Sequence, residues 1–200
     1  MSISIRVAVG DRESREAFAL RYRTFVGEGI LDRVRNDALL FDVFDALPSS
    51  HLFIAVKQSK IVGTVRTTFH SDLPAPTDDF GLPAGALPPD AIIGSGSMLC
   101  VDPDFRNGTS GLRLVRSAMH FQYERGSTHV IAPIRPEAVP IFERLGWQQI
   151  AHPYFHAVEN VPVVPMGLEL RRYFDPEGRC DLTTGEPASL QPIAGGASSR

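Results

Sequence analysis

The sequence IIGSGSMLCVDPDFRNGTSGLRLV, residues 92–115, contains a strand, a loop and a helix start in direct succession. The first ten residues are apolar or small and predict a strand, which Asp102 and Pro103 end because proline cannot donate a ladder hydrogen bond. A loop rich in Gly, Asn and Ser follows, and a helix is predicted to begin near Thr109 or Ser110. Unpaired N–H groups and the positive dipole end at such a helix start suit a phosphate ligand.

The chain after this unit alternates between helices and strands. The helix has two apolar rows and ends near Gly126, so it is predicted to be broadly buried against a sheet. The segment HVIAPI then predicts a strand, PEAVPIFERLG a helix, WQQIAHPYF a strand and VPVVPMGLEL a last strand.

The chain before this unit begins with a strand and a helix. ISIRVAV alternates as a strand does, and Asp11 is the expected N-cap of a helix whose apolar face includes Phe18 and Phe25. Residues 30–48 read as irregular, with a possible short helix at 36–42. HLFIAV and KIVGTVRTTFH predict two antiparallel strands around a tight turn, and the proline-rich residues 71–90 predict a long loop that is either functional or disordered.

The composition is that of an ordinary globular protein. The chain has 200 residues, 43% of them hydrophobic and 22% charged, with a net charge of -3. This length and composition predict one folded domain over residues 1–174, followed by a mostly disordered tail at 175–200. The charge excludes the strongly basic pattern of a nucleic-acid binder. No segment is apolar enough for a membrane span or signal peptide, and Cys100 and Cys180 lack metal-type spacing, so we expect a reduced, cytoplasmic protein without a metal.

Four charged residues in the first half of the chain form a pattern of their own. Arg21 lies between Phe18 and Phe25 on the apolar face of the first helix, and a buried arginine needs paired acceptors. Asp42, Asp45 and Arg66 could supply a network with it. Such a network would either tie residues 30–48 to the sheet or form the wall of an acceptor pocket, whereas Arg21 alone could simply cover apolar surface with its stem.

The order of elements and the central loop resemble the GNAT acyltransferases. The phosphate-binding loop of that family has the form (Arg/Gln)-x-x-Gly-x-(Gly/Ala) after a strand ending in Val-x-Pro, and here Arg106 begins the loop while Thr109 replaces the first glycine. The resemblance implies an α/β fold with a mixed, mostly antiparallel, twisted sheet flanked by helices. It also implies that an acyl-coenzyme A or acyl-carrier-protein thioester is held by strand and loop residues: Leu99, Cys100, Val101, Arg106, Asn107, Gly108, Thr109, Ser110, Gly111 and Leu112.

The segment LRYRTF narrows the resemblance. It is similar to the Leu-Arg-x-x-x-Phe helix of the acyl-homoserine lactone synthases and the long-chain N-acyl amino acid synthases, in which Asp-x-x-Asp and a hairpin arginine follow. Asp42, Asp45 and Arg66 stand in that register after Arg21, so the resemblance implies that these four residues form the catalytic site. Phe25 and His70 are the expected further contacts of the substrate.

The resulting hypothesis is an N-acyltransferase that moves a medium- or long-chain acyl group from acyl carrier protein or coenzyme A to an amine. Amino acids, polyamines and peptide side chains are all open as acceptors. A lactone-forming autoinducer synthase is disfavoured because Ser95 and Met98 replace that family's strand glutamate and arginine. The residues are also compatible with a short-chain N-acetyltransferase and with a non-catalytic module that binds acyl carrier protein.

Two features of this hypothesis stay open in the sequence. The proton of the attacking amine could be taken by Asp45, by His70 or through a water chain. The stripe of Arg113, Arg116 and His120 on the central helix could meet acyl carrier protein or the 3′-phosphate of coenzyme A, or it could be a solvated helix face.

Overall fold

A computed structural model describes residues 3–31, 35–70, 77–106, 109–156 and 161–174. The predicted tail at 175–200, loop residues 71–76 and the predicted donor contacts Asn107 and Gly108 lie outside the described residues. The strands are β1 Ser4–Val7, β2 Ser50–Lys57, β3 Lys60–Phe69, β4 Ile93–Val101, β5 His129–Ile134, β6 Gln148–Gln149, β7 Tyr154–His156 and β8 Val161–Glu169. The helices are α1 Gly10–Gly27, α2 Ser110–Glu124, α3 Val139–Arg144 and α4 Leu170–Tyr173.

The order of elements agrees with the sequence-based prediction, and the differences are local. Helix α1 begins at Gly10, so Asp11 lies in the first turn rather than at the N-cap. The short helix expected at 36–42 is replaced by a 3₁₀ turn at Val43–Ala46. The segment WQQIAHPYF forms two short strands, β6 and β7, instead of one.

The strands form one mixed sheet in the order β1-β2-β3-β4-β5-β8-β6, with β7 paired to β8. Strands β4 and β5 run parallel, and the other neighbouring pairs are antiparallel. The β2–β3 hairpin turns at Gln58 and Ser59, both with positive φ, as a tight two-residue turn requires. The expected mostly antiparallel α/β fold is therefore confirmed.

Helices α1 and α2 cover opposite faces of the sheet. Leu20 and Phe25 of α1 pack with Ile54 and Ile61 of the sheet, whereas Leu114 of α2 packs on the other face. A second apolar row of α2 faces a separate core built with β5, β8, α3 and α4. Burying each such side chain contributes about 1.5–3 kcal/mol, so both rows hold α2 firmly against the sheet.

The parallel pair β4–β5 is joined at one end and open at the other. Residues 93–95 pair with residues 129–131, but both strands continue past this point without pairing to each other. Strand β4 also bulges, because Thr64 pairs with Cys100 and Arg66 with Ser97, so that Val65 opposes both Met98 and Leu99. Met98 has a φ of 54° at this bulge. The splayed strands create a wedge that opens toward their carboxyl ends.

Within the described part of the chain, no helix has both the length and the apolar character that crossing a membrane requires.

Candidate active site

A cavity of about 970 Å³, including solvent at its mouth, fills the wedge between β4 and β5. Residues 96–99 of β4 line one side and Ala132, Pro133 and Ile134 of β5 line the other. Phe25 and Ile30 reach the cavity from the α1 side, so the cavity passes from one face of the sheet to the other. The remaining lining is mainly apolar and comes largely from α2, α3 and the following turn: Val115, Ala118, Met119, Gln122, Phe142 and Trp147.

Those predicted donor-binding residues that the structure describes lie at the end of β4 and the start of α2. Leu99 lines the cavity, whereas Cys100 and Val101 pair with Thr64 and Gly63 of β3 and do not line it. Thr109 is the N-cap residue of α2, and Ser110, Gly111 and Leu112 form its first turn, as the sequence predicted. Arg106 donates from Nε to the carbonyl of Val101 at 2.9 Å, which holds the arginine against the end of β4.

Cys100 is a buried packing residue. It is 5% exposed and lies in the core with Leu20 and Ile61. Burial raises the pKa of its thiol to about 12. Since the thiolate is the nucleophilic form, Cys100 is not an activated nucleophile.

The four charged residues predicted to converge do so on the α1 face of the sheet. Arg21 donates from Nη1 to both carboxylate oxygens of Asp45, at 2.8 and 3.0 Å. Arg66 Nη1 lies 3.1 Å from Asp45 Oδ2 and also binds Asp42 Oδ1. Arg66 Nε donates to Ser97 Oγ at 3.0 Å, and Ser97 lines the wedge cavity. The network therefore reaches from α1 across β3 to the cavity wall.

The Asp-x-x-Asp spacing has a local structural cause. Asp42 Oδ1 accepts the backbone N–H groups of Phe44 at 2.8 Å and Asp45 at 3.2 Å, and Asp45 Oδ2 accepts the backbone N–H of Asp42 at 3.1 Å. This reciprocal capping box stabilises the 3₁₀ turn and fixes both carboxylates. The Asp45 side chain is 5% exposed and that of Asp42 is 30% exposed, so Asp42 is the more open carboxylate of the pair.

Arg21 is the most deeply buried of the four charged residues. Its side chain is fully buried and lines neither the wedge cavity nor a second, polar pocket of about 520 Å³, including solvent at its mouth. That second pocket is lined by Asp45 and Arg66 together with Phe18 and His51. Burial lowers the pKa of Arg21, and the charge of Asp45 opposes this shift. Arg21 thus holds Asp45, while Asp45 and Arg66 border open space.

The two predicted substrate contacts differ in position. Phe25 lines the wedge cavity. His70 lies at the end of β3, with Nε2 2.9 Å from Thr77 Oγ1, and lines neither cavity. Burial lowers the pKa of His70.

The basic stripe on α2 is not a continuous solvated face. Arg113 donates from Nη2 to the carbonyl of Ile3 at 3.0 Å, and Arg116 is 4% exposed beneath Tyr173. His120 lies 3.4 Å from Glu124 and contacts the ring of Phe174.

One arginine of the site, Arg135, was not predicted from the sequence. It follows β5 and lines the cavity mouth. Its position directly after the strand HVIAPI was the available signal, because ligands of parallel strand pairs bind outside the carboxyl ends of the strands.

The splayed parallel strands, the cavity between them and the helix α2 that follows β4 are the features of the GNAT fold. A family model described as "N-acyl amino acid synthase FeeM" matches residues 16–169, and the chain belongs to that family. The protein is therefore an acyltransferase that transfers acyl groups to an amine. No match was found among curated protein sequences.

Solved structures share the fold at low sequence identity. The N-acyl amino acid synthase FeeM from uncultured soil microbes superposes with a TM-score of 0.73 at 16% identity, covering 86% of this chain and 93% of FeeM. The coenzyme-A-dependent acyl-homoserine lactone synthase BjaI, solved with SAM and isopentyl-CoA, gives 0.63 at 23% identity, covering 79% and 76%. A putative N-acetyltransferase from Lactobacillus plantarum gives 0.62 at 20%, covering 85% and 99%.

Proposed function

We propose that the protein transfers a medium- or long-chain acyl group from a phosphopantetheine thioester, on acyl carrier protein or coenzyme A, to the amino group of an amino acid. The observation that carries this proposal is an apolar cavity through the β4–β5 wedge whose wall is hydrogen-bonded to a buried Arg/Asp network. The description of the matched family supports the amino-acid acceptor.

The lining of the cavity supports a long acyl chain. Val115, Ala118, Met119 and Gln122 line it from one side of α2. Val115 and Gln122 are separated by about 10 Å along the helix axis, which is far more than an acetyl group occupies. Each methylene buried there contributes about 0.8 kcal/mol, so the cavity favours long donors over short ones.

The bulge in β4 supports the placement of the thioester. The extra residue of a bulge lies outside the strand ladder, and here Met98 and Leu99 both line the wedge. A backbone N–H at this point would polarise the thioester carbonyl, which is often the largest contribution to acyl-transfer catalysis. The amine nitrogen attacks the carbonyl carbon, the C–N bond forms, and the C–S bond then breaks to release the thiolate, which takes up a proton.

The Arg/Asp network supports the binding of the acceptor. Asp42 lines neither cavity, but it is the more exposed carboxylate of the pair, and its contacts with Arg66 and the backbone are made through Oδ1. It is therefore proposed to hold the acceptor's ammonium and to receive its proton, directly or through water. Arg66 borders the polar pocket and suits the acceptor's carboxylate. Asp45 and Arg21 are proposed as positioning residues: although Asp45 lines the polar pocket, both of its carboxylate oxygens are bound by Arg21, and Oδ2 also meets Arg66 and the backbone.

The function is tested by mass-spectrometric product analysis. Acyl-CoA and acyl-carrier-protein donors from two to sixteen carbons are combined with the amino acids, spermidine, a lysine peptide and S-adenosylmethionine. We expect N-acyl amino acids from the longer donors and little product from acetyl donors. A lactone from S-adenosylmethionine would instead indicate an autoinducer synthase, acetylation alone an N-acetyltransferase, and no thioester consumption a non-catalytic module.

Two variants connect the expected product to the site. Asp42→Asn is expected to lower kcat by about 10²–10⁴-fold, as loss of a general base does, while exposed Asp90→Asn is the matched control. Ala118→Phe fills the cavity and is expected to lower kcat/KM for a dodecanoyl donor much more than for a butanoyl donor. An equal loss of kcat/KM for both donors would mean that the acyl chain binds outside this cavity.

A further inference from the structure

Glu28 bridges two arginines that come from distant parts of the sequence. Its Oε1 binds Arg106 Nη2, and its Oε2 lies 3.2 Å from Arg135 Nη1. The side chain of Glu28 is 20% exposed, whereas those of Arg106 and Arg135 are 40% and 43% exposed. One carboxylate therefore holds two partly solvated guanidinium groups together. We call Glu28, Arg106 and Arg135 the clasp.

The clasp lies at the open end of the β4–β5 wedge. Arg106 is anchored to the carbonyl of Val101, the last residue of β4, and Arg135 is the first residue after β5. Arg135 also lines the cavity. Glu28 immediately follows α1, between Phe25 and Ile30, which line the same cavity from the α1 side. The clasp thus connects the ends of α1, β4 and β5 across the mouth of the cavity.

The two arginines of the clasp have the chemistry of a phosphate-binding site. Arginine presents a planar set of donors that binds phosphate oxygens in pairs, and two arginines converging on one point suit a dianion or a diphosphate. Arg135 Nε is also 3.3 Å from Glu137 Oε1. The clasp together with Glu137 therefore carries two positive and two negative charges. A bound phosphate would need to displace Glu28 from at least one arginine.

We propose that Arg135 is a second phosphate-binding residue for the acyl donor, beside Arg106, and that Glu28 occupies this anion site until the donor's phosphopantetheine phosphate displaces it. This inference rests on the proposed function, because it assumes a phosphopantetheine thioester as donor. The shared chemistry is the phosphate on the pantetheine arm, which is a phosphodiester on acyl carrier protein and part of a diphosphate in coenzyme A. In the free enzyme the two ion pairs of Glu28 connect the elements around the cavity mouth. Binding of the donor's phosphate releases Glu28 and opens the mouth.

The test compares donors with and without the phosphate. KM and kcat are measured for acyl-CoA, acyl-carrier protein and the acyl-N-acetylcysteamine thioester, which lacks phosphate. Arg135→Gln is expected to raise KM about tenfold for both phosphate-bearing donors and to leave the N-acetylcysteamine thioester unchanged, in line with the loss of a charge-assisted hydrogen bond. Glu28→Gln is expected to lower the same two KM values about threefold, since it removes the competing carboxylate. Exposed Arg144→Gln is the control.

A binding measurement separates this inference from the proposed function. Calorimetry with coenzyme A alone should show weaker binding to Arg135→Gln and tighter binding to Glu28→Gln, independently of any turnover. If the wild-type enzyme consumes no thioester but these shifts appear, the proposed function fails and the phosphate site stands. If turnover occurs but neither variant changes KM or coenzyme A binding, the clasp is only structural. An equal KM rise for the phosphate-free donor would show that Arg135 shapes the cavity instead. A change in KM with only one of the two phosphate-bearing donors would assign the phosphate site to that donor.

Discussion

Gly94 and Gln122 fit against each other where β4 and β5 join. A Cβ at Gly94 would overlap Oε1 and Cδ of Gln122 and would lie 2.8 Å from its Nε2. Gln122 is 1% exposed, and its Nε2 donates to the carbonyl of Ser95 at 2.9 Å and to the hydroxyl of Thr67. The Gln122 amide cannot rotate away without losing these hydrogen bonds. A glycine is therefore required at position 94, where β4 pairs with β5.

We therefore expect Gly94→Ala to lower the free energy of unfolding by about 2 kcal/mol, since it forces overpacking and breaks buried hydrogen bonds. Gly96→Ala is the matched control, because its Cβ would meet only Ala132 Cβ, at 3.9 Å. Urea denaturation of both variants measures the difference. Equal stability of the two would contradict this account of the join.

Cys100 provides a second test at the scale of one residue. Burial raises the pKa of its thiol to about 12, compared with roughly 8.5 for a free cysteine. In the folded protein at pH 8 the thiol is therefore protonated and inaccessible, whereas the unfolded chain exposes a reactive group. In a Cys180→Ser background, we expect a thiol reagent to label Cys100 at the rate of unfolding and rapidly only in denaturant. Fast labelling of the native protein would show that Cys100 is open to solvent.

The Arg/Asp network joins three elements: α1, the 3₁₀ turn at Val43–Ala46 and β3. Arg21 and Asp45 are both buried, and breaking a buried ion pair is strongly destabilising, although Asp45 keeps Arg66 as a partner when Arg21 is removed. Nε and Nη2 of Arg21 have no hydrogen-bond partner among the described residues, so its removal also relieves a desolvation cost. The net effect is therefore at the lower end of the usual range for broken buried pairs.

We expect Arg21→Met to lower the free energy of unfolding by about 3 kcal/mol and Asp45→Asn added to it to recover part of this loss. A double-mutant cycle by urea denaturation measures the coupling. The exposed pair Arg12 and Glu16, with Nε to Oε1 at 3.0 Å, is the control and should couple by less than about 0.5 kcal/mol. A coupling equally small for Arg21 and Asp45 would mean that the network does not join the elements.

The elements and the network were predictable from sequence to different degrees. The convergence of Arg21 with Asp42 and Asp45 followed from the cost of burying an arginine and from a family register, and the structure contains it. The different exposure of the two aspartates did not follow, because Asp-x-x-Asp gives no indication that each carboxylate accepts the backbone N–H of the other residue. Arg116 was misjudged as part of an exposed stripe, since helical spacing does not reveal that Tyr173 covers it.

At the scale of the whole molecule, local patterns predicted the order of strands and helices, but not how the sheet opens. The wedge depends on where pairing between β4 and β5 stops, which is a long-range property. The bulge at Met98 has no marker in a sequence that lacks glycine there. The clasp unites residues 28, 106 and 135, whose separation in sequence hides their proximity. Sequence thus predicts the elements, and packing between distant elements creates the site.

The boundary of the folded domain gives the last prediction. Phe174 is 2% exposed and packs against Tyr123, with ring centroids 5.4 Å apart, and against His120. The residues that follow are rich in Gly, Pro, Ser and Ala and carry little apolar surface to bury. We therefore predict that a chain ending at Phe174 keeps the melting temperature and thioester turnover of the full chain.

The matched control for this truncation keeps the tail and removes one ring. Phe174→Ala in the full chain should lower the free energy of unfolding by about 3–5 kcal/mol, because the deleted side chain is buried in a core formed by α2, α4, β5 and β8. Differential scanning calorimetry and a thioester assay on both variants locate the edge of the domain. If truncation lowers the melting temperature as much as Phe174→Ala does, residues 175–200 belong to the folded body. If truncation abolishes turnover while the melting temperature is unchanged, those residues contribute to the site, and the domain boundary at 174 must be redrawn.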